Sequence, residues 1–345
     1  MNVLYIIGNG FDLNIGLKTS YKDFYEYFKE QSNKNGFYDG INESIKGRIK
    51  RWIEDVEKTP FDTWADLESA LGEYTDKFNS AKEFEDFYYK ISDGLSKYIR
   101  LEEERLISSD KEKLKLSKDF IHPWEYLSNE DKNSISSYLA GKSNEEWIVN
   151  IINFNYSQTI EKLLNFTADK MMLLGNNSIN SKNVNLSTIV HIHGVAVENS
   201  TILLGVNDIS QIKNESFKTN EDLLDVIIKP KTNKGGGTGI NETCTTFFNT
   251  ANLICIFGSS LGETDKMWWE LLGKQIKRDN CRIIYFVHER ESIPKNRGQL
   301  VPRKIRECKE NILSKTGMLQ EKESIQNKIW VGYDKDMFKL NITKK

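Results

Sequence analysis

The sequence predicts an α/β protein: a doubly wound, mainly parallel sheet of Rossmann type, carrying a large helical insertion after its first strand. Three observations predict it. Residues 3–7 are a continuous apolar run ending at Gly8, which suits a strand buried on both faces of a parallel sheet. Residues 20–144 then become charged and helical in period, with little strand signal. From Trp147 onward short apolar runs return, separated by loop or helical segments, the pattern of a sheet wound with helices.

Taken in order, the elements support that layout. After Gly16 the chain carries Phe24, Tyr27 and Phe28 at i, i+3, i+4, and Trp64, Leu67, Leu71 and Tyr74 at helical spacing. Phe84, Phe87, Tyr88, Ile91 and Leu95 repeat the pattern across 80–104. The later strand candidates are 148–154, 171–174, 188–193, 202–205, 253–257, 283–287 and 329–331. The layout is one α/β core from 1–19 and 145–345, with 20–144 standing above the strand ends as a regulatory cap. No internal repeat is visible. Gly235-Gly236-Gly237-Thr238-Gly239 has no Lys-Ser or Lys-Thr after it, so it is not a Walker loop but a mobile surface loop. The tail ending Lys344-Lys345 reads as a solvated end.

Bulk properties narrow the function. The 345 residues are 38% hydrophobic, enough for a sizeable core. The charge count, 48 basic against 50 acidic residues, argues against an extended nucleic-acid surface. Four cysteines, Cys244, Cys255, Cys281 and Cys308, form no CxxC pair and have no histidine at ligand spacing. They read as reduced thiols, and no metal is predicted. The first apolar run is too short for a signal peptide, and no stretch reaches bilayer-spanning length. A cytoplasmic protein is expected.

Four segments carry candidate chemistry. Gly8-Asn9-Gly10-Phe11-Asp12 follows the first strand, where glycines allow a sharp turn and close approach to a dinucleotide. A following helix would point free N–H groups at phosphate; an ordinary strand-to-helix turn is the alternative. Leu13 fills the third glycine position of the GxGxxG fingerprint, which argues against hydride transfer. Asn153-Phe154-Asn155-Tyr156-Ser157 closes a strand, and alternation puts Asn153 and Asn155 on one face; turn-capping asparagines are the alternative. His191-Ile192-His193-Gly194 holds two of the chain's four histidines, both expected on one strand face. His193, nearer the tip, is the better candidate base; a structural histidine or a two-histidine metal site remains open. Phe257-Gly258-Ser259-Ser260, with Asp265 soon after, offers hydroxyls for ribose or phosphate.

In this order, Ile7-Gly8-Asn9-Gly10-Phe11-Asp12, Asn153-Phe154-Asn155-Tyr156, His191-Ile192-His193-Gly194 and Phe257-Gly258-Ser259-Ser260-Leu261 resemble the AbiH family of phage abortive-infection proteins. The resemblance runs from the first strand to about Trp269. The segments also look like those of the wider SIR2-like group, which binds NAD. There the first loop reads Gly-Ala-Gly-x-Ser, followed by Gly-Ile-Pro; Gly8 to Asp12 and Gly16-Leu17-Lys18 stand in those places. The resemblance implies a catalytic Asn155, with Tyr156 and Ser157 beside it, a catalytic His193 with Gly194, and a nucleotide loop at Gly258, Ser259 and Ser260. Ser157 stands where the group usually has aspartate, and Asn9 where it has alanine. No zinc-ribbon cysteine set is present, which argues against deacetylation.

The expected activity is hydrolysis of NAD⁺ as substrate. Nicotinamide leaves neutral and needs no general acid, so the paired carboxylates of ordinary glycosidases are not required. Asn155 would hold the attacking water or the ribose hydroxyls, and His193 would accept a proton. Resting cells must survive, so gating by a phage signal or by homo-oligomer assembly is expected, with the insertion as the regulatory element. Two rivals stand beside this reading: a sensor that binds NAD or ADP-ribose without cleaving it, and a metal-dependent nuclease or phosphotransferase built on His191, His193 and Asp208. An inert scaffold is disfavoured by the gathering of Asn, His and Gly at strand ends.

Overall fold

A computed structural model describes residues 1–344 apart from 59–63, 143–144, 180, 199, 289–294 and 334. The strands in chain order are β1 (Asn2–Ile7), β2 (Leu106–Ile107), β3 (Trp147–Asn153), β4 (Met172–Asn176), β5 (Asn183–His191), β6 (Leu253–Phe257), β7 (Arg282–Val287), β8 (Ile329–Tyr333) and β9 (Thr343–Lys344). Seven of them form one sheet in the order β4-β5-β3-β1-β6-β7-β8, while β2 and β9 pair as a separate ribbon. Every neighbour in the large sheet is parallel except β4 with β5. This is the doubly wound, mainly parallel sheet that the apolar runs predict.

The runs are unbroken because both faces are covered. Val3, Tyr5 and Ile7 face one core, with Leu253, Cys255 and Phe257 beside them. Leu4 and Ile6 face the other, with Ile254 and Ile256. Period-two alternation thus sends apolar side chains both ways and leaves no polar face in the sequence. On the first side the Tyr5 hydroxyl donates to the Phe120 carbonyl at 2.7 Å, which satisfies a buried phenol and pins the helix Asp110–Ile121 to the sheet.

A third core lies off the sheet. Phe24, Phe28, Trp52, Phe87 and Leu95 pack with Ile202, Leu204, Leu223 and Ile227. The cap is therefore built from two separated stretches, one before β2 and one between β5 and β6. Its first helix, Tyr21–Ser32, starts on a capping box in which the Ser20 hydroxyl accepts from the Asp23 N–H. The long helix Ala81–Glu103 fastens the cap to the sheet. Tyr98 donates to the Lys18 carbonyl at 2.6 Å, and the Glu102 carboxylate accepts from the Lys18 N–H at 3.0 Å. Glu103 takes the Gln158 N–H and lies 2.8 Å from Lys162.

Some expectations change. Not all of 20–144 stands apart from the sheet: Leu116, Phe120, Ile135 and Leu139 lie in the same core as Val3, Tyr5 and Ile7. An amphipathic helix reads the same whichever core it buries against, so periodicity drew the cap too large. The expected end of the insertion, 144, lies outside the described residues, as does Lys345. The run 202–205 is not a strand; it feeds the cap core, and Val206 makes one isolated bridge to Ile228. The remaining strand candidates fall on β3 to β8 with shifts of their ends, the largest at β5, which starts at Asn183 rather than 188. Gly235 to Gly239 forms the turn between the helices Lys229–Gly235 and Ile240–Thr250. All four cysteines are buried free thiols. Among the described residues no helix is long and apolar enough to cross a membrane.

Candidate functional site

β1 and β6 are neighbours, and the connection from β1 runs to β3 on one side while that from β6 runs to β7 on the other. That divergence is the switch point where open α/β sheets form a crevice. Here it opens into a cleft of ≈ 720 Å³, within the usual size range of a small-molecule site. The loops after β1, β3, β5 and β6 all contribute to its walls, and Ser20, Tyr21, Glu68 and Ile99 of the cap close it from above.

The glycines of the cleft also hold its loops against each other. A Cβ on Gly8 would lie 2.5 Å from the Gly258 oxygen, and one on Gly10 would lie 2.5 Å from the Gly258 Cα. Gly258 itself has φ +69°. Gly8 N–H donates to the Phe257 carbonyl and Gly10 N–H to the Gly258 carbonyl, both at 2.9 Å. Three glycines thus let the β1 and β6 loops touch backbone to backbone. The following helix, Gly10–Asn14, is only five residues long. Its Gly10 and Phe11 N–H groups already bond to carbonyls, so they are not free phosphate donors. The Asn9 side chain donates to the Thr19 carbonyl and accepts the Thr19 hydroxyl, each at 2.8 Å, and so staples the loop.

On the β3 side the strand ends at Asn153, and Asn155 lies in the turn beyond it. The two asparagines therefore do not share a strand face. Asn153 Oδ1 accepts the Asn155 N–H at 3.0 Å, a turn-capping role. Asn155 is 4% exposed and lines the cleft, yet neither its Oδ1 nor its Nδ2 has a hydrogen-bond partner. Phe154 and Tyr156, on either side of it, both pack on the His193 ring, at 5.4 and 6.0 Å between centroids. Asn155 and His193 thus share one wall.

The two histidines part company because β5 ends at His191. His191 turns to Glu161, with Nε2 2.6 Å from the carboxylate, and its Nδ1 lies 3.0 Å from the Asn155 carbonyl. Burial lowers its affinity for a proton, but the Glu161 hydrogen bond and charge outweigh this and raise its pKa. His193 faces the cleft, with Nε2 2.9 Å from Asp265 Oδ1. Each imidazole has its own carboxylate, so no pair of histidines converges on a metal. Among the described residues no group of three metal-ligating side chains forms. Asp208, the acid considered for a nuclease, instead caps the turn Ile209–Gln211.

The same Asp265 oxygen lies 2.8 Å from Lys229 Nζ, and Lys229 also reaches Glu68 Oε2 at 2.9 Å. Burial raises the Asp265 pKa, but the charges of Lys229 and then His193 overcome it and hold the carboxyl well below the usual range. Burial likewise works against the Lys229 charge, and Asp265 and Glu68 reverse that. Across the cleft Asp12 is buried and accepts the Ser157 hydroxyl.

Of the residues singled out from the sequence, Gly8, Asn9, Gly10, Asp12, Asn155, Tyr156, His193, Gly258, Ser259 and Ser260 line the cleft. Phe11, Gly16 and Gly194 do not. Phe11 is fully buried against Phe338 and Phe257, Gly16 follows the helix Gly10–Asn14 in a left-handed conformation, and Gly194 makes the turn after β5. Glu68 and Lys229 were missed, and Asp265 was noticed without a role. A charged residue on an amphipathic helix carries no mark in the sequence that separates a buried partner from a solvated face.

A search among curated proteins returned no match. Residues 4–287 match the family model described as bacteriophage abortive infection AbiH. That span runs from β1 through β7 and takes in the cleft loops after β1, β3, β5 and β6, and the chain belongs to the AbiH family of phage abortive-infection proteins.

Proposed function

We propose that this chain acts in abortive infection by hydrolysing the nicotinamide–ribose bond of NAD⁺. The observation that carries the reading is Asn155: a buried amide with two unpartnered polar atoms in the wall of a cleft, beside a carboxylate-bound histidine. An unmet buried polar group costs about 1–3 kcal/mol, a cost relieved when a ligand pairs with it. Cleavage of NAD⁺ asks for little else. The leaving group departs neutral, the transition state is cationic, and one water must be aimed at the ribose. Asn155 holds that water or the ribose hydroxyls. His193 takes up a proton, and Asp265 keeps the ring oriented and stabilises the imidazolium that results. Ser259 and Ser260 offer hydroxyls for the rest of the dinucleotide.

The test is NAD⁺ level over time in cells expressing the protein, with and without phage, alongside Asn155→Ala and His193→Ala. A phage-dependent fall that both substitutions abolish supports the proposal. Steady NAD⁺ during effective defence rejects it. Binding of NAD⁺ or ADP-ribose by the purified protein, without nicotinamide release, makes it a sensor instead.

A further inference from the structure

The charged chain behind His193 does not stop at the sheet. Its last member, Glu68, sits on the helix Trp64–Tyr74 of the cap. Lys229 opens the helix Lys229–Gly235, Asp265 follows β6, and His193 follows β5. Four segments distant in sequence therefore meet through one oxygen of Asp265 and one of Glu68. The Glu68 and Lys229 side chains are 4% and 5% exposed. The Thr264 hydroxyl donates to Glu68 Oε2 at 2.5 Å, and Tyr156 OH is 3.5 Å from Glu68 Oε1. Two carboxylates against one ammonium leave one negative charge, which meets the proton that His193 takes up. A buried ammonium held between two carboxylates cannot lose one of them without reorganising on the other.

We propose that Glu68 and Lys229 are positioning residues that act on His193 through Asp265, so that the cap helix Trp64–Tyr74 belongs to the catalytic unit. Drawing that helix away strips Glu68 from Lys229, which then loads Asp265 alone and weakens its hold on the imidazole. A signal that moves the cap thereby reaches the reacting centre without touching the substrate. The proposal rests on His193 being the base of the proposed reaction, but its first test does not need activity.

The titratable groups that face His193 are Asp265 directly, Tyr156 by its ring, and Lys229 and Glu68 through Asp265. The full chain has four histidines, so each ring can be followed by NMR through a pH titration, with His193→Gln giving the assignment. Glu68→Gln removes a negative charge and should lower the His193 midpoint. Lys229→Met removes a positive charge and should move it the other way. The double variant removes one of each and should return it close to wild type, with less strain on folding than Lys229→Met alone. A His193 midpoint unmoved in folded Glu68→Gln overturns the proposal, as does a double variant whose midpoint moves as far as that of Glu68→Gln. A pH profile of nicotinamide release that follows the same shifts supports it. Shifted midpoints without any nicotinamide release would sink the NAD⁺ reading and leave the coupling standing.

Discussion

Ser157 donates its hydroxyl to one oxygen of Asp12 at 2.5 Å, which joins the loop after β1 to the loop after β3. The Asp12 carboxyl is pushed up to about 7, chiefly by burial, against the opposing hydrogen bond from Ser157 and with a further push from the Glu103 charge. The junction between the two loops is therefore built around a carboxyl that changes charge near neutrality.

This makes stability pH-dependent with a definite sign. A carboxyl whose folded pKa is raised binds more proton in the folded state, so its contribution falls as pH climbs from about 4 through about 7. A rise of roughly three units is at most about 4 kcal/mol. Asp12→Asn should remove that slope and stabilise the protein more at pH 8 than at pH 5, read from urea midpoints. Parallel pH profiles for the two proteins would show that Asp12 does not titrate in this range.

His191 gives a second check of the same sign. Its pKa is raised by Glu161, so the pair's stabilisation is full below the ordinary imidazole value of about 6.5 and fades as pH rises through the raised one. Glu161→Gln should cost about 1–3 kcal/mol at pH 6 and less at pH 8.5. Thermal melts at both values test this, and an equal loss at the two would mean the pair is held without a proton on the ring.

Gly258→Ala should be severe. The new methyl group would meet the Phe11 nitrogen at 2.7 Å, on a backbone already in the left-handed region. A loss of about 2–4 kcal/mol is expected. Gly298→Ala, with nothing within 4 Å, is the matched control. Urea denaturation of both variants measures the difference, and equal midpoints would contradict the backbone contact.

Asn155→Ala separates function from folding. Removing an amide that has no partner should leave the melting temperature unchanged or slightly higher. Under the proposed function it should also cut nicotinamide release at least about a hundredfold. A large loss of stability would instead mark Asn155 as a structural residue.

The sheet was legible because burial on both faces makes residues 3–7 and β6 continuous apolar runs, interrupted only by the Tyr5 hydroxyl, and such runs have few other readings. The pairing of β4 against β5 was not, since an antiparallel edge strand and a parallel one have the same short apolar run. Ile202 and Leu204 misled for a related reason: an irregular segment that fills a cap core is as apolar as a strand. In the site, Asn155, His193 and Gly258 stood out because uncommon residue types gather at strand ends. The packing of Gly8 and Gly10 on Gly258 was not legible, because it depends on which strand lies next to β1.

By itself the sequence determined the α/β class, the first strand, and the loops that make the cleft, since each is written in local residue types and their period. Only the tertiary structure decided that His191 and His193 serve different carboxylates, that Asp12 meets Ser157, and that Glu68 reaches His193 through Lys229 and Asp265. Those relations join residues that are remote along the chain. Their chemistry follows from burial and distance, which no local pattern of charges encodes.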